Sequence, residues 1–287
     1  MSLGYLKTPG PVKPSIVRGG ADLLLFPPMN QSLDLDAELD LALRLVREAE
    51  QPILSRFQRK IEVVTKRDNT PVTEADREAE ALVRRRLAEL RPEHGVIGEE
   101  HGVHLPQARY KWVIDPIDGT KAFIHGVPLF GTLLALLEDG VPVVGVIHMP
   151  ALGESLWAAR GRGAWLNGSP ARVSEVTDLS NALLCDGSAL TVSRSPWGKA
   201  WMDLRGEASV ARGWGDCYGH LLVACGRAEA MLDPIVSIWD VAPMGIILPE
   251  AGGRFTSARG ECGIDTGTGL SSNGRLHAQL LSRLADA

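Results

Sequence analysis

The stretch Val113–Phe123, "VIDPIDGTKAF", decides how this chain is read. Two aspartates, Asp115 and Asp118, stand three apart around Pro116 at the end of an apolar run, and Gly119-Thr120 follows directly. Pro116 has no N–H to give to a ladder, so the chain is expected to leave its sheet at Asp115, with side chains projecting into a crevice. The Ile117 carbonyl is then free to point the same way. Two bare carboxylates so close repel each other, and burial raises their pKa values. The spacing asks for a cation between them, or for one of them to be a helix cap. Gly119 and Thr120 are expected to open a short helix whose first N–H groups form an anion site. A cation site beside an anion site is what metal-dependent phosphate chemistry requires.

Three other acids carry the same ambiguity. Glu99, in Gly98-Glu99-Glu100, follows a short strand at Gly95-Val96-Ile97, but exposed glutamate pairs are usually just solvated. Asp240, in Trp239-Asp240-Val241-Ala242-Pro243, precedes an apolar helix and on its own reads as an N-cap. Asp76, in Thr73-x-x-Asp76, fits a capping box at the start of a helix.

Outward from these points the pattern is layered. Apolar residues recur at helical spacing at Leu35, Leu39, Ala42, Leu43 and Val46, predicting a helix over 33–57. A second helix, 74–90, has Ala75, Ala79, Leu82, Val83, Leu87 and Leu90 on one face. Strands are expected at 111–114, 132–137, 141–148, 156–159 and 163–166, with turns at Asp139-Gly140 and Asn167-Gly168. Later strands fall at 183–185 and 228–232, and helices at 218–225, 241–251 and 273–284. Two helices, a meander and then mixed elements argue for layered α and β structure and against a βαβ array. Residues 1–31, with their prolines and no sustained period, read as an extension. Residues 32–287 read as one domain, with sub-lobes at about 32–180 and 181–287.

The 287 residues carry a formal charge of −5, with 45% apolar and 23% charged side chains, which describes an ordinary globular protein. The basic run Arg84-Arg85-Arg86 reads as the wet face of a helix, so nucleic acid is not an expected partner. The four cysteines have no C-x-x-C spacing and are expected to be reduced thiols in a cytoplasmic protein. No apolar run approaches the ~20 residues of a membrane span. The D-x-x-D spacing differs from the D-x-D of phosphatases that use an aspartyl nucleophile.

The strings "PVTEAD", "GEE", "DPIDGT" and "WDVAP", in this order, resemble the inositol monophosphatase family, from about Leu35 to the C-terminus. The resemblance implies an α/β fold, layered as an α-β-α-β-α sandwich of the inositol monophosphatase and fructose-1,6-bisphosphatase type, assembled as a homodimer. It implies two or three Mg²⁺ ions held by Glu99, Asp115, the Ile117 carbonyl, Asp118 and Asp240. Thr120, Asp76 and Glu99 would hold or orient an attacking water, and the Gly119 and Thr120 N–H groups would hold phosphate oxygens. The expected activity is hydrolysis of a small phosphate ester.

Within the family, "DPIDGTKAFIHGVPLFGTLLAL" and "WGDCYGHLLVACGRAEAMLDP" look most like the histidinol-phosphate phosphatase branch. Asp216 and Asp233 are candidate contacts for a cationic leaving group, although Asp233 before Pro234 also suits a plain turn. Lys121 is a third candidate contact, one that the nucleotide-phosphate branch also tolerates. Inositol 1-phosphate and 3′-phosphoadenosine 5′-phosphate stand as alternative substrates within the family. A non-catalytic cation-binding protein is the alternative of another class.

Overall fold

The computed structural model describes residues 33–59, 63–65 and 71–285, and residues 34–287 form one compact unit. The extension read at 1–31 lies outside the described residues. Helix α1 (Leu35–Leu54) starts at an Asp34 cap, and helix α2 (Glu74–Leu90) starts at Thr73 with the capping box read from sequence. Between them lies a small hairpin of β1 (Val63–Thr65) and β2 (Pro71–Thr73), which the sequence pattern did not announce. The buried stripe of α1 is Leu41, Ala42, Leu45, Val46, Ala49 and Ile53; Leu39 and Leu43, placed on that stripe by periodicity, are half-buried. The stripe of α2 holds Ala75, Ala79, Val83 and Leu87 together with two acids, Asp76 and Glu80.

Eight strands form the first sheet: β3 (Gly95–Gly98), β4 (Gly102–His104), β5 (Tyr110–Asp118), β6 (Gly131–Glu138), β7 (Val141–Met149), β8 (Glu154–Ala159), β9 (Ala164–Leu166) and β10 (Ser169–Ala171). Their spatial order is β10-β9-β8-β7-β6-β5-β3-β4. Asp139-Gly140 and Asn167-Gly168 make the β6–β7 and β9–β10 turns, as expected. Five strands form the second sheet, in the order β12-β11-β13-β15-β14: β11 (Leu183–Asp186), β12 (Val210–Arg212), β13 (Ala230–Asp233), β14 (Arg254–Thr256) and β15 (Gly269–Ser272).

The remaining helices are α3 (Thr120–Ile124), α4 (Ala189–Arg194), α5 (Gly198–Glu207), α6 (Asp216–Ala224), α7 (Ile238–Val241), α8 (Met244–Glu250) and α9 (His277–Ala285). Leu133, Ile147 and Met149 of the first sheet share one core with Leu221 of α6, Ile247 of α8, and Cys185 and Met231 of the second sheet. On its other face, Leu184, Leu232 and Leu270 pack with Val192, Trp201, Leu204 and Leu280 of α4, α5 and α9. With α1 and α2 against β5–β8, the order of layers is α-β-α-β-α. An apolar side chain every second residue on both faces of a sheet, as in β6, is what a sheet covered on two sides needs.

Three readings change. Strand β11 pairs in parallel with both β12 and β13, so the second sheet does contain crossover units. The single helix expected at 241–251 is two, α7 and α8, and Pro243 stands at the break because it has no N–H to continue α7. The last helix starts at His277, since the Asn273 side chain takes the N–H groups of Arg275 and Leu276 before it. Among the described residues, no helix is long and apolar enough to cross a membrane.

Candidate active site

Strand β5 does not end at Asp115. Its pairing with β6 runs from Asp115↔Leu133 to Asp118↔Gly131, three residues against two, which is a bulge. Side chains three apart on a regular strand point to opposite faces. The extra residue cancels that alternation and turns Asp115 and Asp118 to the same side. Pro116, which has no N–H to leave unpaired, sits inside the bulge, and its carbonyl accepts the Thr132 hydroxyl at 2.9 Å, so the irregular backbone remains satisfied.

The third carboxylate comes from the middle layer. Ser237, not Asp240, caps α7; Asp240 is the third residue of a capping box and accepts the Ser237 N–H at 2.7 Å. Oxygens of Asp115, Asp118 and Asp240 lie within 4.8 Å of one another. Backbone N–H groups hold each of them: Ile117 donates to Asp115 at 3.0 Å, and Cys217, at the start of α6, donates to Asp118. These three, with Pro71, Glu99, Ile117, Gly119, Thr120, Lys121 and Asp216, line a cleft of about 140 Å³.

The electrostatics of this cleft are repulsive. Burial pushes the Asp115 carboxyl well above its usual range, and the charges of Glu99, Asp118 and Asp240 push it further. Burial, then Asp216 and Asp240, do the same to Asp118 against the Cys217 hydrogen bond. Asp240 rises to about 7 through burial, with Glu99 and Asp233 outweighing part of the help from Ser237. Asp216 rises to about 6 through burial and the Asp233 charge, opposed by Lys121 and His220. A set of oxygen-only donors that repel one another, in reach of one point, fits a hard divalent cation such as Mg²⁺. Five-residue α3 is too short for a developed dipole, so any anion binding there rests on individual N–H groups.

Gly119 caps α3 at φ 83°, and a Cβ built there would lie 2.9 Å from the Leu129 carbonyl and 3.3 Å from Asp216. Only glycine fits that turn. The Ile117 carbonyl is not free as expected: it accepts the Thr120 hydroxyl at 3.0 Å, leaving one lone pair. Asp76 lies outside the lining. Its Oδ2 accepts the Thr73 N–H at 2.8 Å and the Thr73 hydroxyl at 2.6 Å, while its buried Oδ1 has no hydrogen-bond partner among the described residues. Burial, with the Glu99 charge adding, raises Asp76 to about 6.

Asp233 is also outside the lining. Its Oδ2 meets His220 Nε2 at 3.1 Å, and His220 Nδ1 meets the Ser271 hydroxyl at 2.7 Å. The structure therefore brings Glu99, Asp115, Ile117, Asp118, Gly119, Thr120, Lys121, Asp216 and Asp240 to one cleft, with Asp76 and Asp233 outside its lining. Sequence reasoning missed Pro71, the Cys217 N–H and His220. Backbone donors carry no residue signature, and a lone histidine on an apolar helix reads as core.

The chain matches the model of the inositol monophosphatase family over residues 34–287. It is 44% identical over 251 residues to a protein of Chlorobaculum parvum named histidinol-phosphatase, covering 87% of this chain and 97% of that one. A histidinol-phosphatase of Mycobacterium tuberculosis is 42% identical, with 86% and 97% covered. The solved structure of an inositol monophosphatase from Anabaena superposes with a TM-score of 0.79 at 32% identity, covering 89% of this chain and 98% of that one. Matched along nearly its whole described length, in sequence and in the layering of its sheets, the chain belongs to the inositol monophosphatase family and is a phosphoric monoester hydrolase.

Proposed function

We propose that this hydrolase is Mg²⁺-dependent and acts on a small phosphate ester with a cationic leaving group, L-histidinol phosphate, by direct attack of water. The observation that carries the reading is the convergence of Asp115, Asp118 and Asp240 within 4.8 Å in a cleft that Asp216 also lines. The 44% identity to an enzyme named histidinol-phosphatase supports the substrate. Glu99, Asp115, Asp118, Asp240 and the Ile117 carbonyl would hold two or three Mg²⁺ ions. Bound there, such ions would acidify water and neutralise charge on the phosphoryl group and the leaving oxygen.

The chain's own residues do the positioning, which is most of the catalysis in phosphoryl transfer. The Thr120 hydrogen is committed to the Ile117 carbonyl, so its oxygen presents lone pairs and accepts from the attacking water. Glu99 faces the same water, and the unpartnered Oδ1 of Asp76 is the acceptor behind it. The Gly119 and Thr120 N–H groups hold phosphate oxygens as negative charge develops. Asp216 meets the substrate's cation, with Lys121 beside it on the phosphate side and Asp233 adding its charge from behind. A homodimer in the cytoplasm is the setting the family resemblance implies.

The test is a panel of kcat/KM values with Mg²⁺ for histidinol phosphate, inositol 1-phosphate and 3′-phosphoadenosine 5′-phosphate. The proposal requires histidinol phosphate to lead. A lead for inositol 1-phosphate would overturn the substrate and leave the phosphatase standing.

A further inference from the structure

We infer that Glu80, together with Arg84, is a positioning residue that fixes Glu99 for cation binding; this rests on the metal reading of the cleft. Glu80 is fully buried on α2, one turn after Asp76. A buried carboxylate is costly unless its oxygens are bonded. Its Oε2 accepts the Glu100 N–H at 2.7 Å, and its Oε1 accepts the His101 N–H at 3.1 Å and the Arg84 Nε at 2.6 Å. The His101 ring Nδ1 lies 3.4 Å from the same Oε1, and Arg84 Nη2 donates to the Gly102 carbonyl.

Apart from Arg84, these partners are Glu100 and His101, in the turn directly after Glu99, and Gly102, the first residue of β4. On the other side of Glu99, a Cβ on Gly98 would lie 2.0 Å from Glu80 Oε1, so the carboxylate seats against bare backbone. The Glu99 N–H donates to the Ile114 carbonyl at 3.3 Å. Glu80 on one side and β5 on the other thus fix the backbone on which Glu99 reaches the cleft that Asp115 also lines. Both Glu80 oxygens are occupied by donors, so Glu80 supports a ligand and is not one itself. Outer partners of this kind orient metal-binding side chains and tune affinity.

The fold contains a control. The buried Glu38 carboxylate of α1 pairs through one oxygen with Arg91, the residue after α2, at 2.7 Å, and neither lines the cleft. The experiment is calorimetric titration of Mg²⁺ into the full chain for wild type, Glu80→Gln, Arg84→Ala and Glu38→Gln, with the Tm of each. Glutamine keeps the shape but offers one acceptor oxygen and unwanted donors where three donors converge.

The Mg²⁺ Kd should rise about tenfold or more in Glu80→Gln, rise less in Arg84→Ala, and stay unchanged in Glu38→Gln even if its Tm falls as far. Wild-type affinity in folded Glu80→Gln, or equal weakening in Glu38→Gln, overturns the inference. Should Glu80→Gln not fold, Arg84→Ala is judged by the same criterion, since it leaves the Glu80 carboxylate on both turn N–H groups. If wild type takes up no Mg²⁺, the reading of the cleft fails and the inference with it. Uptake by wild type and an unaltered Glu80→Gln sinks the positioning role alone.

Discussion

The Thr120 hydroxyl donates to the Ile117 carbonyl at 3.0 Å, across the turn that joins β5 to α3. The bond fixes the direction of the threonine's proton and so the direction of its lone pairs. It also uses half of the accepting capacity of a carbonyl placed beside three carboxylates. Sequence alone gave Thr120 and Ile117 separate tasks; the structure couples them.

Replacing Thr120 with serine should therefore keep activity within a few-fold, because the hydroxyl and its bond survive. Thr120→Ala should lower kcat by roughly 10²-fold, with little change in the Mg²⁺ concentration for half-activity. A variant with normal kcat but weakened Mg²⁺ dependence would assign Thr120 to the metal shell through Ile117.

Asp118→Asn should abolish turnover while the fold survives. The asparagine oxygen can still accept the Cys217 N–H, so the tie between β5 and α6 remains. One negative charge leaves a repulsive cluster, and the metal-free Tm should stay level or rise. Near wild-type turnover at saturating Mg²⁺ would show that Asp118 holds no cation.

The metal-free protein should lose stability as pH rises. Asp76 and Asp216 are raised to about 6 and Asp240 to about 7, from an ordinary value of 3.8. Between those values the folded state holds protons that the unfolded chain has released, so the slope of stability with pH is negative. Their contribution is fully present below about pH 4 and is lost as pH passes through 6 to 7. In EDTA, Tm should fall across that window more steeply for wild type than for Asp240→Asn, and Mg²⁺ should restore more at pH 7.5 than at pH 5.5. A Tm that rises with pH in wild type, but not in Asp240→Asn, would contradict the account.

Asp216 and Asp233 should separate. Asp216 lines the cleft, while Asp233 is engaged by His220. A charge-assisted contact contributes about 1.5–3 kcal/mol, so Asp216→Asn should cost roughly ten- to a hundredfold in kcat/KM for histidinol phosphate. p-Nitrophenyl phosphate, which lacks the cation, should be hydrolysed nearly as before. Asp233→Asn should show the same selectivity at smaller size. Equal losses on both substrates would move these residues into the metal shell.

What the sequence allowed to be read follows from how local each signal is. The Thr73–Asp76 box and the Asp139-Gly140 turn depend on neighbours in the chain, and they stand where expected. The strand expected to end at Asp115 instead runs on through a bulge to Asp118, because its pairing with β6 is not a local signal. Asp240, read on its own as an N-cap, is instead the third residue of a capping box whose cap is Ser237, and its carboxylate joins the cluster as well. β14 and β15 escaped because "RFT" is too short to show an alternation and "GLSS" holds no β-branched or aromatic residue. Their pairing with each other, and that of β15 with β13, makes them strands. The basic run at Arg84 was read as uniformly wet. Arg85 is exposed, but Arg84 turns inward to Glu80 and Arg86 is half-buried against Glu48 and Glu89. Glu80 stands in no motif of the sequence, although its spacing of four from Asp76 puts it on the same helix face.

The central claim, that Asp115, Asp118 and Asp240 together hold the catalytic cation, is tested most directly by an anomalous difference map from a crystal soaked in Mn²⁺. The account predicts a peak within ligand distance of all three carboxylates, which disappears in Asp118→Asn. An empty cleft at saturating Mn²⁺, or a peak held by other residues, would contradict it.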